Sequence, residues 1–282
     1  MTLCVAAVAM DVDHGPCIVS CFDKRGETDM TSSQTEMKFR YLGGHWFALF
    51  AGDIFQANEL LDLYKTHLKD RVLRRKELVD ELRKPADLLR GKLVDRFVRS
   101  RFSLSYREFL TLGSQFPEDI YRDTCHEISE LTLDCELIIF GFVEKGAVLY
   151  VVSGDCSVGT DDWLAFAGIG SGAPLAEAWL HFREQHKLML LQRTMYHLYE
   201  AKKFGERAPG VGEQTELVVV SLDQLRYMPT PPMGDKLIKQ LDRLWAKHGP
   251  RPTLSVQPDT NLLLKGGGYP PETQTNGKEG EE

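Results

Sequence analysis

Residues 1–11 read MTLCVAAVAMD and residues 46–51 read WFALFA; these two stretches decide the fold. In the first, an apolar run opens at Leu3 with almost no lead-in and predicts a strand over 2–9. In the second, every side chain is apolar. Unbroken apolarity over a short run marks a strand covered on both faces. Such strands need a layer above and a layer below.

Working outward, His14-Gly15-Pro16 is a turn signal, and a second strand follows over 17–22. A third is expected over 37–42, punctuated by Gly43-Gly44. From Asp53 the period becomes helical, with Leu61, Tyr64, Leu68 and Val72 on one stripe. Pro85 predicts a break and a new helix start, after which Leu89, Leu93 and Phe97 recur at i, i+4. Residues 117–131 read as another helix. A hairpin over 135–143 and 147–153 turns at Glu144-Lys145-Gly146. A strand over 163–167 leads into Gly168-Ile169-Gly170-Ser171-Gly172, then helices from 174 to 204. A last strand (215–222) and a helix through Leu237, Leu241 and Trp245 complete the pattern, stopped at Gly249-Pro250.

Runs of strands followed by runs of helices argue an α+β class. Two sheets packed on each other, with helices outside, would cover every apolar face. The expected organisation is one domain over 2–249, with an extended helical stretch at about 53–131. Residues 250–282, rich in Pro, Gly and Glu, are expected to form a disordered tail in which Leu262-Leu263-Leu264 is the one apolar cluster.

The 282 residues are 43% hydrophobic and 27% charged, with a formal charge of −7. That balance gives no reason to expect nucleic-acid binding. Residues 65–101 hold thirteen Lys or Arg against six Asp or Glu, but they lack the interleaved aromatics of a base-stacking surface. A solvated helix face or an assembly surface fits that run better. No Lys or Arg occurs in residues 1–10, and no apolar run is long enough to span a membrane, so a cytoplasmic protein without membrane attachment is expected. The six cysteines form no CxxC pair and read as reduced thiols. The eight histidines lack ligand spacing, so no metal and no cofactor are expected.

Thr2 is the first chemical candidate. Methionine is usually trimmed before a small second residue, which would leave Thr2 with a free α-amine. That amine titrates near pH 8 and lies within reach of its own hydroxyl, so one residue supplies nucleophile and general base. Thr2 alone means little. Beside it stand Asp23 and Arg25 at the end of the second strand, Lys38 opening the third, Gly52 after the fourth, and Ser171 between two glycines. Taken singly these read as an exposed turn pair, a strand-edge charge and a strand-to-helix bend.

Together and in this order they resemble the β-type proteasome family, which includes the bacterial ATP-dependent protease cores and the Anbu ("ancestral β subunit") group, all N-terminal nucleophile (Ntn) hydrolases. The resemblance rests on Met-Thr-x-x-Val at 1–5, Cys21-Phe22-Asp23-Lys24-Arg25, Lys38 through Phe50-Ala51-Gly52, and residues 167–176 around Gly170-Ser171-Gly172. It covers roughly residues 2–222. It implies a four-layer α/β/β/α sandwich of two stacked antiparallel sheets. It implies Thr2 as nucleophile, Lys38 beside its hydroxyl, Asp23 pairing with Lys38, and Gly52 N–H facing the oxyanion. Arg25 and Ser171 would support the N-terminus, and Phe50 would line the first specificity pocket. The substrate would be a peptide or unfolded protein, cleaved within a ring or helical homo-oligomer; an ATPase partner is not specified. One segment departs from the family pattern. Where Asp-x-x-Ser-Gly-Gly is expected, this chain has Glu200, which would replace the aspartate in supporting the Thr2 amine, but no serine follows three residues on. A silent structural or binding subunit and a non-proteolytic Ntn amidase therefore stay open as alternatives.

Overall fold

The computed structural model describes residues 2–23, 26–28, 31–33, 38–69, 71, 73–222 and 231–249. Arg25, Val72 and residues 250–282 lie outside the described residues. The chain opens with β1 (Cys4–Asp11) and β2 (Gly15–Asp23), which pair antiparallel from Cys4↔Phe22 to Asp11↔Gly15. Their turn is held by Asp11, whose carboxylate accepts the N–H groups of Asp13 and His14, each at 3.0 Å. A short ribbon follows, β3 (Gly26–Thr28) with β4 (Thr31–Ser33), which the sequence pattern does not reveal. Then come β5 (Phe39–Gly43), β6 (Trp46–Gly52), β7 (Cys135–Val143), β8 (Gly146–Val152), β9 (Val158–Gly159), β10 (Phe166–Ile169) and β11 (Thr215–Ser221). The first sheet has the order β10-β1-β2-β11 and the second β5-β6-β7-β8-β9, and all their pairings are antiparallel.

Seven α-helices occur among the described residues: α1 (Ile54–Leu68), α2 (Leu78–Phe102), α3 (Tyr106–Thr111), α4 (Glu118–Glu130), α5 (Ala173–Phe182), α6 (Leu191–Gly205) and α7 (Pro231–His248). Among the described residues, none is long and apolar enough to cross a membrane.

The doubly apolar strands explain the layering. On β1, Val5, Ala7 and Ala9 face a core shared with α5, α6 and α7, while Cys4, Ala6 and Val8 face a second core. That second core is completed from the other sheet by Phe47, Leu49 and Ala51 of β6 and by Ile138 and Phe140 of β7. The opposite face of β6, with Trp46, Ala48 and Phe50, packs against α1 and α2. Period-2 alternation therefore sends each strand into two cores, which is why its sequence is apolar throughout. The molecule is α+β, with two antiparallel sheets packed face to face and helices on their outer faces.

Two expectations are corrected. Pro85 does not end a helix: α2 runs through it. Pro85 is buried, and its neighbours Leu82, Ala86 and Leu89 pack in the core shared with α1, which offsets the roughly 3 kcal/mol that an interior proline costs. The strand expected over 163–167 starts at Phe166 instead. Asp161 accepts the N–H groups of Trp163 (2.9 Å) and Leu164 (2.8 Å), making a local turn that leaves Trp163 exposed. The helices expected from 174 to 204 are α5 and α6, with a connection between Phe182 and Leu191. Beyond the sheets, the far end of α2 meets α3 and α4 around Val94, Val98, Phe109 and Ile128, a small core of its own.

Candidate active site

Leu3 fixes the chain start. Its side chain is wholly buried and sits between two glycines: a Cβ at Gly205 would collide with Leu3 Cδ2, and one at Gly172 would come within 3.1 Å of Leu3 Cβ. A Cβ at Gly170, where φ is +86°, would strike the Thr2 carbonyl. The same carbonyl accepts from Ser171 Oγ at 3.3 Å and Gly172 N at 3.4 Å. The Gly170-Ser171-Gly172 run thus closes over Thr2 from one side. From the other, Asp23 N–H donates to Leu3 C=O at 3.1 Å and prolongs the β1–β2 ladder towards Thr2.

Three predicted residues converge in this frame. Thr2 Oγ1 donates to Asp23 Oδ1 at 2.6 Å, and Lys38 Nζ donates to both Thr2 Oγ1 and Asp23 Oδ1, the latter at 2.6 Å. Asp23 ends β2, and Lys38 immediately precedes β5 of the opposite sheet. The cluster therefore joins the end of β2 in one sheet to the start of β5 in the other. It is nearly dry, with exposures of 6% at Thr2, 0% at Asp23 and 3% at Lys38. Two backbone donors complete the Asp23 shell: Leu3 N at 3.0 Å to Oδ1 and Gly212 N at 3.0 Å to Oδ2. Burial by itself pushes the Asp23 carboxyl up. The Lys38 charge, with hydrogen bonds from Leu3, Lys38 and Thr2, outweighs it and holds the group below the ordinary carboxylate range.

Gly52 ends β6, exposed and with φ +97°, and a Cβ there would strike the carbonyl of Asp134. Only glycine fits this bend. Its strand is tied to the chain start by Cys4 Sγ, which donates to Phe50 C=O at 3.3 Å. The Phe50 ring lies in the core facing α1 and α2, with the Arg40 guanidinium 5.2 Å from its centroid. Ser171 touches Thr2 only through the Thr2 carbonyl among its recorded bonds. Arg25 lies outside the described residues.

Glu200 is not brought to this cluster. On α6, it pairs with Arg183 through both carboxylate oxygens and accepts from Trp179 Nε1 at 3.3 Å. The expectation that it supports the Thr2 amine is corrected by this pairing. Two residues near the site had no place in the sequence reading. Gly212 holds Asp23 Oδ2, and the glycine spacing Gly210-Val211-Gly212 just before a strand is its only signal. Lys202 binds the carbonyls of Gly212 and Glu213, and nothing in the sequence separates it from exposed Lys neighbours.

Among the described residues, no group of three or more His, Cys, Asp or Glu side chains is placed to hold a metal ion. Chemically, the cluster is a hydroxyl with a carboxylate acceptor and a cation touching its oxygen; the cation lowers the cost of negative charge developing on that oxygen. No protein-family model matches the chain, and no curated protein matches it significantly.

Proposed function

We propose that this chain is a threonine peptidase of the β-type proteasome kind, an N-terminal nucleophile hydrolase, with Thr2 as the nucleophile once Met1 is removed. The observation that carries the reading is the convergence of Thr2, Asp23 and Lys38 in one buried, hydrogen-bonded cluster. Two facing antiparallel sheets with helices outside agree with it.

In this mechanism the freed α-amine takes the Oγ1 proton as Oγ1 attacks the scissile carbonyl. The Lys38 charge stabilises the oxygen as its proton leaves, and Asp23 keeps Lys38 in place. Gly52 N–H stabilises the oxyanion, a donor of the kind worth about 3 kcal/mol. The C–N bond then breaks, the leaving amine takes the proton, and water hydrolyses the Thr2 ester. The working form is a ring or helical homo-oligomer, and exposed apolar residues such as Phe55 and Leu88 on the outer helices are suited to contacts between copies.

The test is cleavage of fluorogenic peptides by wild type and Thr2→Ala. Wild-type cleavage that disappears in the variant, with an unchanged circular dichroism spectrum, is the expected result; full activity in the variant would sink the mechanism. The engagement of Glu200 by Arg183 favours a second reading, a catalytically silent subunit. Intact-mass measurement separates the two, because Met1 retained on every molecule leaves the Thr2 amine in a peptide bond and favours the silent subunit.

A further inference from the structure

Two lysines stand side by side on α6, Lys202 and Lys203, a pattern that ordinarily faces solvent. Lys202 instead has a side chain with 0% exposure. Its ammonium has three protons and finds three acceptors: the carbonyls of Gly212 (2.9 Å) and Glu213 (2.7 Å), and a Glu206 carboxylate oxygen. A buried cation persists only when it is paired and fully hydrogen-bonded, and this one is.

Gly212 is the link between Lys202 and the candidate site. Its C=O is held by Lys202 while its N–H is given to Asp23 Oδ2 at 3.0 Å. The segment on either side is anchored as well. Val211 is buried in the core that contains Leu3, and Thr215 pairs with Asp23 in the β2–β11 register. Between those anchors, Lys202 is the side chain that binds both the Gly212 and Glu213 carbonyls, with Thr215 Oγ1 adding a longer bond to Glu213 C=O at 3.5 Å.

We propose that Lys202 is a positioning residue for the Thr2 site. Its ammonium fixes the 212–213 peptide so that Gly212 N–H locks the orientation of Asp23, which in turn holds Lys38 and the Thr2 hydroxyl. The proposal rests on the peptidase reading for its catalytic consequence, but the clamp itself is measurable without activity. The charge acting directly on Asp23 is Lys38; Cys4 of β1 feels Lys38 and Asp23, and Cys21 of β2 feels Lys202 and Lys203 of α6, Glu206 at its C-cap and Glu216 of β11. Burial pushes both thiols up, Cys21 to about 12, so neither titrates in the acid range.

The experiment is a ¹³C carboxyl titration of Asp23, assigned by its absence in Asp23→Asn and run alongside peptide-cleavage kinetics. Three variants are compared: Lys202→Met, Glu206→Gln and Arg183→Met. Lys202→Met is expected to raise the Asp23 midpoint and lower kcat about tenfold with KM within about twofold. Glu206→Gln keeps the lysine and removes its counter-charge, so it shifts both readouts in the same direction by less, and it decides the matter if Lys202→Met does not fold. Arg183→Met breaks an equally buried pair on the same helix and is expected to lower Tm while leaving the Asp23 midpoint in place. An unchanged Asp23 midpoint in Lys202→Met, or in Glu206→Gln if only that variant folds, would overturn the proposal and leave Lys202 a purely structural residue. A wild type that cleaves nothing, together with a raised midpoint in Lys202→Met, would overturn the peptidase reading and leave the clamp standing.

Discussion

Asp23 and Glu200 are both carboxylates with no exposed side chain, and each is paired with a buried cation. Their chemistry diverges. The Asp23 carboxyl is held below its ordinary value, although burial is the largest single influence and acts upward. The Glu200 carboxyl is raised, because burial prevails over the Arg183 charge and hydrogen bond and over Trp179. What separates them is the donor set. Asp23 accepts from two backbone N–H groups, Leu3 and Gly212, as well as from Lys38 and Thr2. The donors recorded for Glu200 are all side-chain groups. Backbone donors set by the start of an interior strand and by a clamped loop keep a buried charge ionised without further reorganisation. The Glu200 cluster ties α5 and its following loop to α6, whereas the Asp23 cluster carries a hydroxyl inside it.

The comparison breaks most severely at Lys38. Lys38→Met leaves Asp23 buried without its cation, a change that typically costs 3–5 kcal/mol, so a loss of about that size is expected in denaturant melts. Peptide cleavage is expected to fall about a thousandfold in the same variant. Arg183→Met does comparable electrostatic damage to the second cluster. It is expected to cost about 3 kcal/mol of stability while leaving cleavage per folded molecule unchanged, which active-site titration of the folded fraction would check. Equal loss of activity in both variants would mean that the two clusters do not differ in role.

The finest distinction is the sign of the pH dependence. Because Asp23 is depressed in the fold, its contribution is present above about pH 4 and lost as pH falls through the lowered folded-state value. Because Glu200 is raised, its contribution is full below about pH 4 and lost as pH rises through the folded-state value. The stability advantage of wild type over Asp23→Asn should therefore shrink on acidification, and that over Glu200→Gln should shrink as pH rises through the weakly acid range. Denaturation midpoints between about pH 3 and 7 read both slopes, and slopes of one sign would contradict the account.

Much of this was legible in the sequence where one face or one residue type carried the signal. The doubly buried strands β1 and β6 follow from their apolar runs, and α1 and α7 from their periodic stripes. What failed were local rules overridden by packing. Pro85 should have broken α2, but it is buried and its neighbours pack in a core. Trp163 looked like strand, but Asp161 captured the backbone first. At the site, Thr2, Asp23 and Lys38 were singled out together only through the family resemblance, since each taken singly had an ordinary structural reading. Gly212 and Lys202 were not, because a backbone donor has no side-chain signature and a buried lysine reads like an exposed one. Glu200 was misplaced for a related reason: sequence spacing along a helix does not reveal which neighbour claims a carboxylate, and here Arg183 does.

The most direct test of the central claim is to react the protein with a short peptide ester that acylates nucleophiles, quench in acid and map the adduct by mass spectrometry. The account predicts a chain beginning at Thr2, carrying one acyl group on that residue, with the adduct lost in Thr2→Ala and strongly reduced in Lys38→Met. A chain that retains Met1 on every molecule, or an acyl group on any other residue, would contradict it.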